Sequence, residues 1–210
     1  MKYELTEEKI TVYGRTLYRI KAKKDFADVK AGDIGGFVES VNNLSQDGNA
    51  WVSGNARIGG DAVIGGDAVI GGNAVIGGNA VIGGDAVIYG NAVIGGDAVI
   101  CGDAVIYGNA RIGENAVIGG NARIGGDAVI GGDAVIGENA DFIVFKNFWS
   151  SGRYFTWTRS NNKWNVGCFY GTGEELIKKA YADSEKSGRE YERVVKYVES
   201  IIKDENERGN

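Results

Sequence analysis

From Ala50 to Ala140 an alanine stands at every sixth position, sixteen in succession, with no residue inserted or lost. A short fixed period governs the fold before any local propensity does, because each unit must stack on copies of itself. Comparing hexads within this chain shows what each position tolerates. The alanine slot never varies. Two residues on, Ile recurs from Ile58 to Ile136, with Val52 ahead of it and Phe142 behind. The slot between holds Trp51, Arg57, Arg111, Arg123 and Asp141, and otherwise Val. A position that accepts Arg and Asp faces solvent, and strand alternation then sends the flanking Ala and Ile inward. Each hexad therefore reads as a three-residue strand, Ala-Val-Ile, and a three-residue corner, Gly-Gly-Asp or Gly-Gly-Asn. Gly supplies unusual dihedrals there, and Asn or Asp bonds to nearby backbone. Strands this short cannot pair as hairpins, but they can stack coil on coil at about 4.8 Å with their backbone groups satisfied between neighbours.

The pattern Ile-Gly-x-x-Ala-x, as in Ile64-Gly65-Gly66-Asp67-Ala68-Val69, resembles the hexapeptide repeat of left-handed parallel β-helix proteins. The likeness runs over residues 50–140 and implies a mainly β fold, a triangular solenoid with 18 residues per coil. A little over five coils would make a rod about 25 Å long. The hand of the coil comes from the resemblance alone, since a period carries no handedness. A calcium-loaded β-roll, also rich in Gly and Asp, needs a nine-residue repeat and is excluded by six.

Side chains one coil apart lie above one another. One outward column is Val63, Val81, Val99, Val117 and Val135; the second is Arg57, Val75, Val93, Arg111 and Val129; the third is Trp51, Val69, Val87, Val105, Arg123 and Asp141. An unbroken valine column on a flat sheet is an exposed apolar patch unless something covers it. The resembled family commonly assembles trimers through such faces, so one expectation is a homo-oligomer, trimer or dimer, joined there. The competing expectation is coverage by the chain's own ends, or mere β-propensity. At the corners Asn55, Asn73, Asn91 and Asn109 are expected to form an amide ladder. Asp67, Asp85 and Asp103 would stack like charges, relieved by a cation or by local backbone bonds; free exchange of Asp and Asn at this slot favours the second. Tyr89 and Tyr107 are expected to stack as ordinary packing.

Residues 1–49 lack the repeat and read as a β-rich N-terminal cap, with a hairpin turning at Gly14 in KITVYGRTLYRIKA. The solenoid is placed at 50–142 and a small α+β cap at 143–210. In that cap FIVFKNF, RYFTWTR and KWNVGCFY predict a three-stranded meander separated by WSSG and SNN turns. Thr172-Gly173-Glu174-Glu175 is a capping box opening one helix, and Ser187-Gly188-Arg189-Glu190 is expected to open a second. Both flanks, LYRIKAKKDFADVKAGDIGGFVES with NNLSQDGNAWV and GCFYGTGEEL, are similar to bacterial and phage hexapeptide-repeat proteins with no assigned activity. The uniformity of the hexads is what tandem duplication leaves, and also what deliberate averaging of a natural family would give.

Hexapeptide β-helices typically transfer acyl groups with a histidine as general base, or hydrate carbon dioxide on zinc held by histidines. This chain has no histidine, and no loop interrupts its hexads to build a cleft. It is therefore expected to be no enzyme, with no cofactor and no metal, and to act as a non-catalytic scaffold or interaction protein. Two alternatives are a binding module working through the aromatic C-terminal cap, and a degenerate acyltransferase that retains ligand binding only. Charge excludes a nucleic-acid partner: residues 50–140 carry three basic and nine acidic groups, and residues 141–210 twelve and eleven. The aromatics Trp149, Tyr154, Phe155, Trp157 and Trp164 are accordingly read as core rather than as a base-stacking surface. Two cysteines without metal spacing, Cys101 and Cys168, and a polar start predict a cytoplasmic protein without signal peptide or membrane span.

Overall fold

A computed structural model describes residues 1–147 and 152–208. Trp149 and most of the WSSG turn lie outside the described residues. Along the repeat, fifteen strands of two residues each recur once per hexad, from β4 (Trp51–Val52) to β18 (Val135–Ile136). They fall into three stacks of parallel strands paired in register 18 residues apart, as in Val63↔Val81 and Val87↔Val105. The strands are Val-Ile rather than Ala-Val-Ile because the alanine N–H belongs to the corner. Ala68 N–H, for example, turns back to the Gly65 carbonyl at 3.4 Å. Alanine and isoleucine nonetheless fill one continuous core, every one of them from Ala50 to Ile136 at most 2% exposed. The alanine slot is invariant because three corners meet around a narrow axis.

The solenoid begins one coil earlier than the hexads announce. Strand β3 (Ile34–Val38) pairs in parallel with the first stack through Phe37↔Arg57 and Val38↔Ile58, and Leu44 bridges to Ile64. These partners are 20 residues apart instead of 18, because the corner before Ala50 holds two extra residues, and a search at period six passes over it. The assignment of all of residues 1–49 to a non-solenoid cap is corrected accordingly. The hairpin itself is as expected. Strands β1 (Tyr3–Val12) and β2 (Arg15–Ala22) turn at Tyr13 and Gly14, both at positive φ (50° and 76°), which suits a two-residue hairpin turn. The hairpin extends the sheet of β3.

A solenoid ends in raw sheet edges, and here the first and last coils of all three stacks are hydrogen-bonded to the terminal segments, the first stack through the added strands of the N-terminal hairpin sheet. At the start, the alanine carbonyls of the first full coil accept from Lys2 Nζ (Ala50, 2.8 Å), from Phe37 N–H (Ala56, 2.8 Å) and from Asn43 Nδ2 (Ala62, 2.8 Å). At the finish, the N–H groups of Arg123, Val129 and Val135 donate to Asn139 Oδ1, Thr156 Oγ1 and Ser160 Oγ at 2.7, 3.1 and 2.7 Å. Edges occupied by side chains cannot template another chain.

Next to Lys2, the phenol of Tyr3 is fully buried and donates toward the carbonyls of Leu44 (2.8 Å) and Val41 (3.0 Å). Burial pushes its pKa up to about 12. A raised folded pKa gives stability that is complete below the unfolded value near 10 and lost as pH climbs through 12, about 3 kcal/mol in all. Urea melts between about pH 9 and 12 should show that loss, and Tyr3→Phe should flatten it; an equally steep loss in the variant excludes Tyr3 as its source.

The C-terminal cap is a sandwich layer. Strands β19 (Phe142–Lys146), β20 (Tyr154–Thr158), β21 (Lys163–Val166) and β22 (Phe169–Gly171) form an antiparallel sheet of four, not the expected three. The run KWNVGCFY folds on itself at Gly167 (φ 62°) and Cys168, pairing Val166 with Phe169. Alternation divides the sheet cleanly. Phe142 and Val144 pack on the solenoid core, beside Thr158 and Thr156, whereas Ile143 and Phe145 join Trp157 and Phe155 in a second core. Helices α1 (Gly173–Asp183) and α2 (Glu185–Arg208) complete that core with Leu176, Val195 and Val198. Thr172 caps α1 as predicted. The second helix starts earlier than expected, at Glu185, because Ser184 both ends α1 and accepts the Ser187 N–H at 3.1 Å.

Candidate functional site

The valine column forms a sheet of its own. Val63, Val81, Val99, Val117 and Val135 are successive in-register partners in one five-stranded stack. Val63, Val81, Val117 and Val135 are 42%, 46%, 37% and 50% exposed, and Val99 is half-buried. Neither end of the chain lies over this face: the N-terminal hairpin extends a different stack, with its tip beside Arg57 and Val75, and the C-terminal sheet packs across the end of the rod. The expected coverage by terminal segments is thus absent among the described residues. The other two faces are interrupted by Arg57 and Arg111, or by Trp51 and Arg123.

The corners show why Asp and Asn alternate as they do. In one column Asn73 donates to Asn91, Asn91 to Asn109 and Asn109 to Asp127, at 3.2, 3.1 and 3.0 Å. In another, Asn79 donates to Asp97 (2.7 Å) and Asn115 to Asp133 (2.9 Å). Asp97, Asp127 and Asp133 each receive an amide from the coil before, and no like charges adjoin in these two columns. The column of Asp67, Asp85 and Asp103 has no such alternation; Asp67 accepts the Asn49 N–H at 3.0 Å. Among the described residues no group of three or more acidic, Cys or His side chains could hold a metal ion. Tyr89 and Tyr107 stack at 5.6 Å and 13°, as expected.

A feature the sequence did not disclose lies in the C-terminal cap. A cleft of about 860 Å³ opens between the β20–β21 end of the sheet, the start of α1 and the outer half of α2. Trp157 and Trp164, read as core, are indeed only 3% and 2% exposed, yet each presents an edge to this cleft. They are cross-strand partners, and Trp157 Nε1 donates to Asn162 Oδ1 at 2.9 Å. At the mouth of α1 the Thr172 N–H, helped by its hydroxyl, holds the Glu175 carboxyl below the usual carboxylate range. The signal available beforehand was the SNN turn, which brings the two tryptophans opposite each other.

Residues 91–126, two coils in the middle of the rod, match the family model described as bacterial transferase hexapeptide (six repeats). That match and the stacked 18-residue coils fit a hexapeptide-repeat β-solenoid. A search of curated proteins returned no match. Hexapeptide-repeat proteins include acyltransferases and structural members, and they commonly form trimers. No helix among the described residues of this one is long and apolar enough to cross a membrane.

Proposed function

We propose that this hexapeptide-repeat protein is a non-catalytic scaffold that associates with copies of itself through its valine sheet. The observation that carries the reading is the unbroken apolar face, left open by both terminal caps among the described residues while the first and last coils of the solenoid are hydrogen-bonded to those caps. Growth is thereby directed sideways rather than end to end. Magnitudes set the strength. Covering a half-exposed valine contributes roughly 0.7 kcal/mol, so five on each of two partners yield about 7 kcal/mol against an association cost of about 4–15 kcal/mol. The assembly is accordingly weak unless flanking corners join it. The absence of histidine supports a non-catalytic role, and two free, exposed cysteines support a reducing cytoplasmic setting.

Light scattering over a concentration series tests the reading. The wild type should move to a dimer or trimer by about 100 μM, and Val99→Arg should hold it as a monomer with unchanged circular dichroism. A wild type that stays monomeric, or an oligomer that survives Val99→Arg, overturns the valine interface. The family's transferase members make retained acyl-donor binding a second reading; acetyl-CoA at millimolar concentration should leave the melting temperature unmoved if the scaffold reading holds.

A further inference from the structure

The cleft in the C-terminal cap has a donor at its base without an acceptor. Trp164 is 2% exposed, and its Nε1 has no hydrogen-bond partner among the described residues, in contrast to Trp157 across the ladder. The Trp164 N–H is not sealed from solvent, unlike the unpartnered Gln46 Nε2 and Arg57 Nε, and opens into the cleft. It lies beside the first residue of α1: a Cβ on Gly173 would stand 3.4 Å from Nε1 and 2.6 Å from Val195 Cγ1. Glycine at that position keeps the N–H uncovered. The helix contributes further donors at the same place. Thr172 takes the Glu175 N–H with its hydroxyl and the Leu176 N–H with its carbonyl, which leaves the Gly173 and Glu174 N–H groups at the positive end of an 11-residue helix.

The rest of the cleft selects what brings the acceptor. Its apolar wall is the Trp157 indole with Val198 and Ile202 of α2. At the rim, Glu174, Glu199 and Glu207 outnumber Arg159 and Lys203, and both cations are already paired, Arg159 with Glu205 and Lys203 with Glu207. A polyanion would meet repulsion there. A single negative group that reaches the base, attached to a body that covers the apolar wall, would not. The volume, about 860 Å³, falls within the range of about 300–1,000 Å³ that holds small organic ligands.

We propose that this cleft binds a small monocarboxylate with an apolar body, its carboxylate seated on the Trp164 indole N–H and the first N–H groups of α1. The site is separate from the valine face at the side of the rod, so its failure and that of the scaffold reading are distinguishable.

The test follows the indole N–H signals of the four tryptophans by ¹H–¹⁵N correlation spectra of the full-length protein, with Trp164 assigned by Trp164→Phe. Titration with 4-phenylbutyrate should shift the Trp164 signal saturably, with a Kd below about 1 mM. The neutral 4-phenylbutyramide should bind at least about tenfold more weakly, and phenyl phosphate and inorganic phosphate should leave the signal in place. Ile202→Glu, at a half-buried position, puts a charge on the apolar wall without emptying the core and should abolish the shift. The proposal is overturned if 4-phenylbutyrate gives no saturable shift, if the amide or phenyl phosphate binds as well, or if the response survives Ile202→Glu with the indole spectrum otherwise unchanged.

Discussion

Gly84→Ala is expected to destabilise the protein by about 2–4 kcal/mol, whereas Gly83→Ala, one residue earlier, should change stability by less than about 0.5 kcal/mol. The two glycines look equivalent in the repeat and are not. Gly84 has φ +64°, and a Cβ there would lie 2.7 Å from the backbone nitrogen of Gly102 in the next coil. The left-handed conformation alone costs roughly 1–2 kcal/mol for a side chain, and the contact is with backbone that the ladder holds in place. Gly83 has ordinary dihedrals and nothing within 4 Å of the Cβ position. The chain supplies its own controls. Ser53, Cys101 and the two stacked tyrosines occupy the first-glycine slot. The second-glycine slot inside the hexads admits Glu114 (φ 54°), whose carboxylate accepts the Gly132 N–H as compensation. Alanine at 84 would have the strain without that bond. Urea denaturation of the two variants checks the pair; equal midpoints would show that the coil spacing adjusts.

The second large effect lies within one strand. Ile100→Ala should cost about 2–5 kcal/mol, and Val99→Ala less than about 1 kcal/mol in the monomer. Ile100 is fully buried, and its side chain stacks between Ile82 and Ile118, its in-register partners above and below. Removing it leaves a cavity in a core one residue wide, where the invariant alanines on either side have no atoms to fill it. Val99 points the other way. Should Val99→Ala weaken the fold as much as Ile100→Ala at a concentration where the protein is monomeric, the inward and outward assignment is wrong. Measured at a concentration where copies associate, the same valine substitution should cost more, because the stability of an assembled state includes its interface.

Much of this was readable in the order of residues. The tolerance of the middle slot for Arg and Asp fixed which side chains face out, and the period of six with three faces gave the 18-residue register that pairs Val63 with Val81. The Thr172 capping box and the Tyr13-Gly14 turn were likewise local patterns with local consequences. Three readings fell short, each for a physical reason. The first coil escaped notice because two extra residues shift its partners to a spacing of 20. The fourth strand of the cap was hidden in KWNVGCFY, since only the positive φ of Gly167 divides that apolar run. The second helix was placed late because Ser187 looked like its cap, although Ser184 fills that role for it while ending the helix before.

A repeating sequence determines by itself whatever follows from translation along the rod: the coil, the alanine–isoleucine core, the outward columns and their register. These need only that each unit meet a copy of itself a fixed distance away. The tertiary structure alone decided what happens where translation stops. Lys2 reaching Ala50, Thr156 meeting Val129, the valine face left bare, and Trp164 left without an acceptor beside Gly173 depend on single contacts between segments far apart in the chain. No period encodes such contacts, because each is made once.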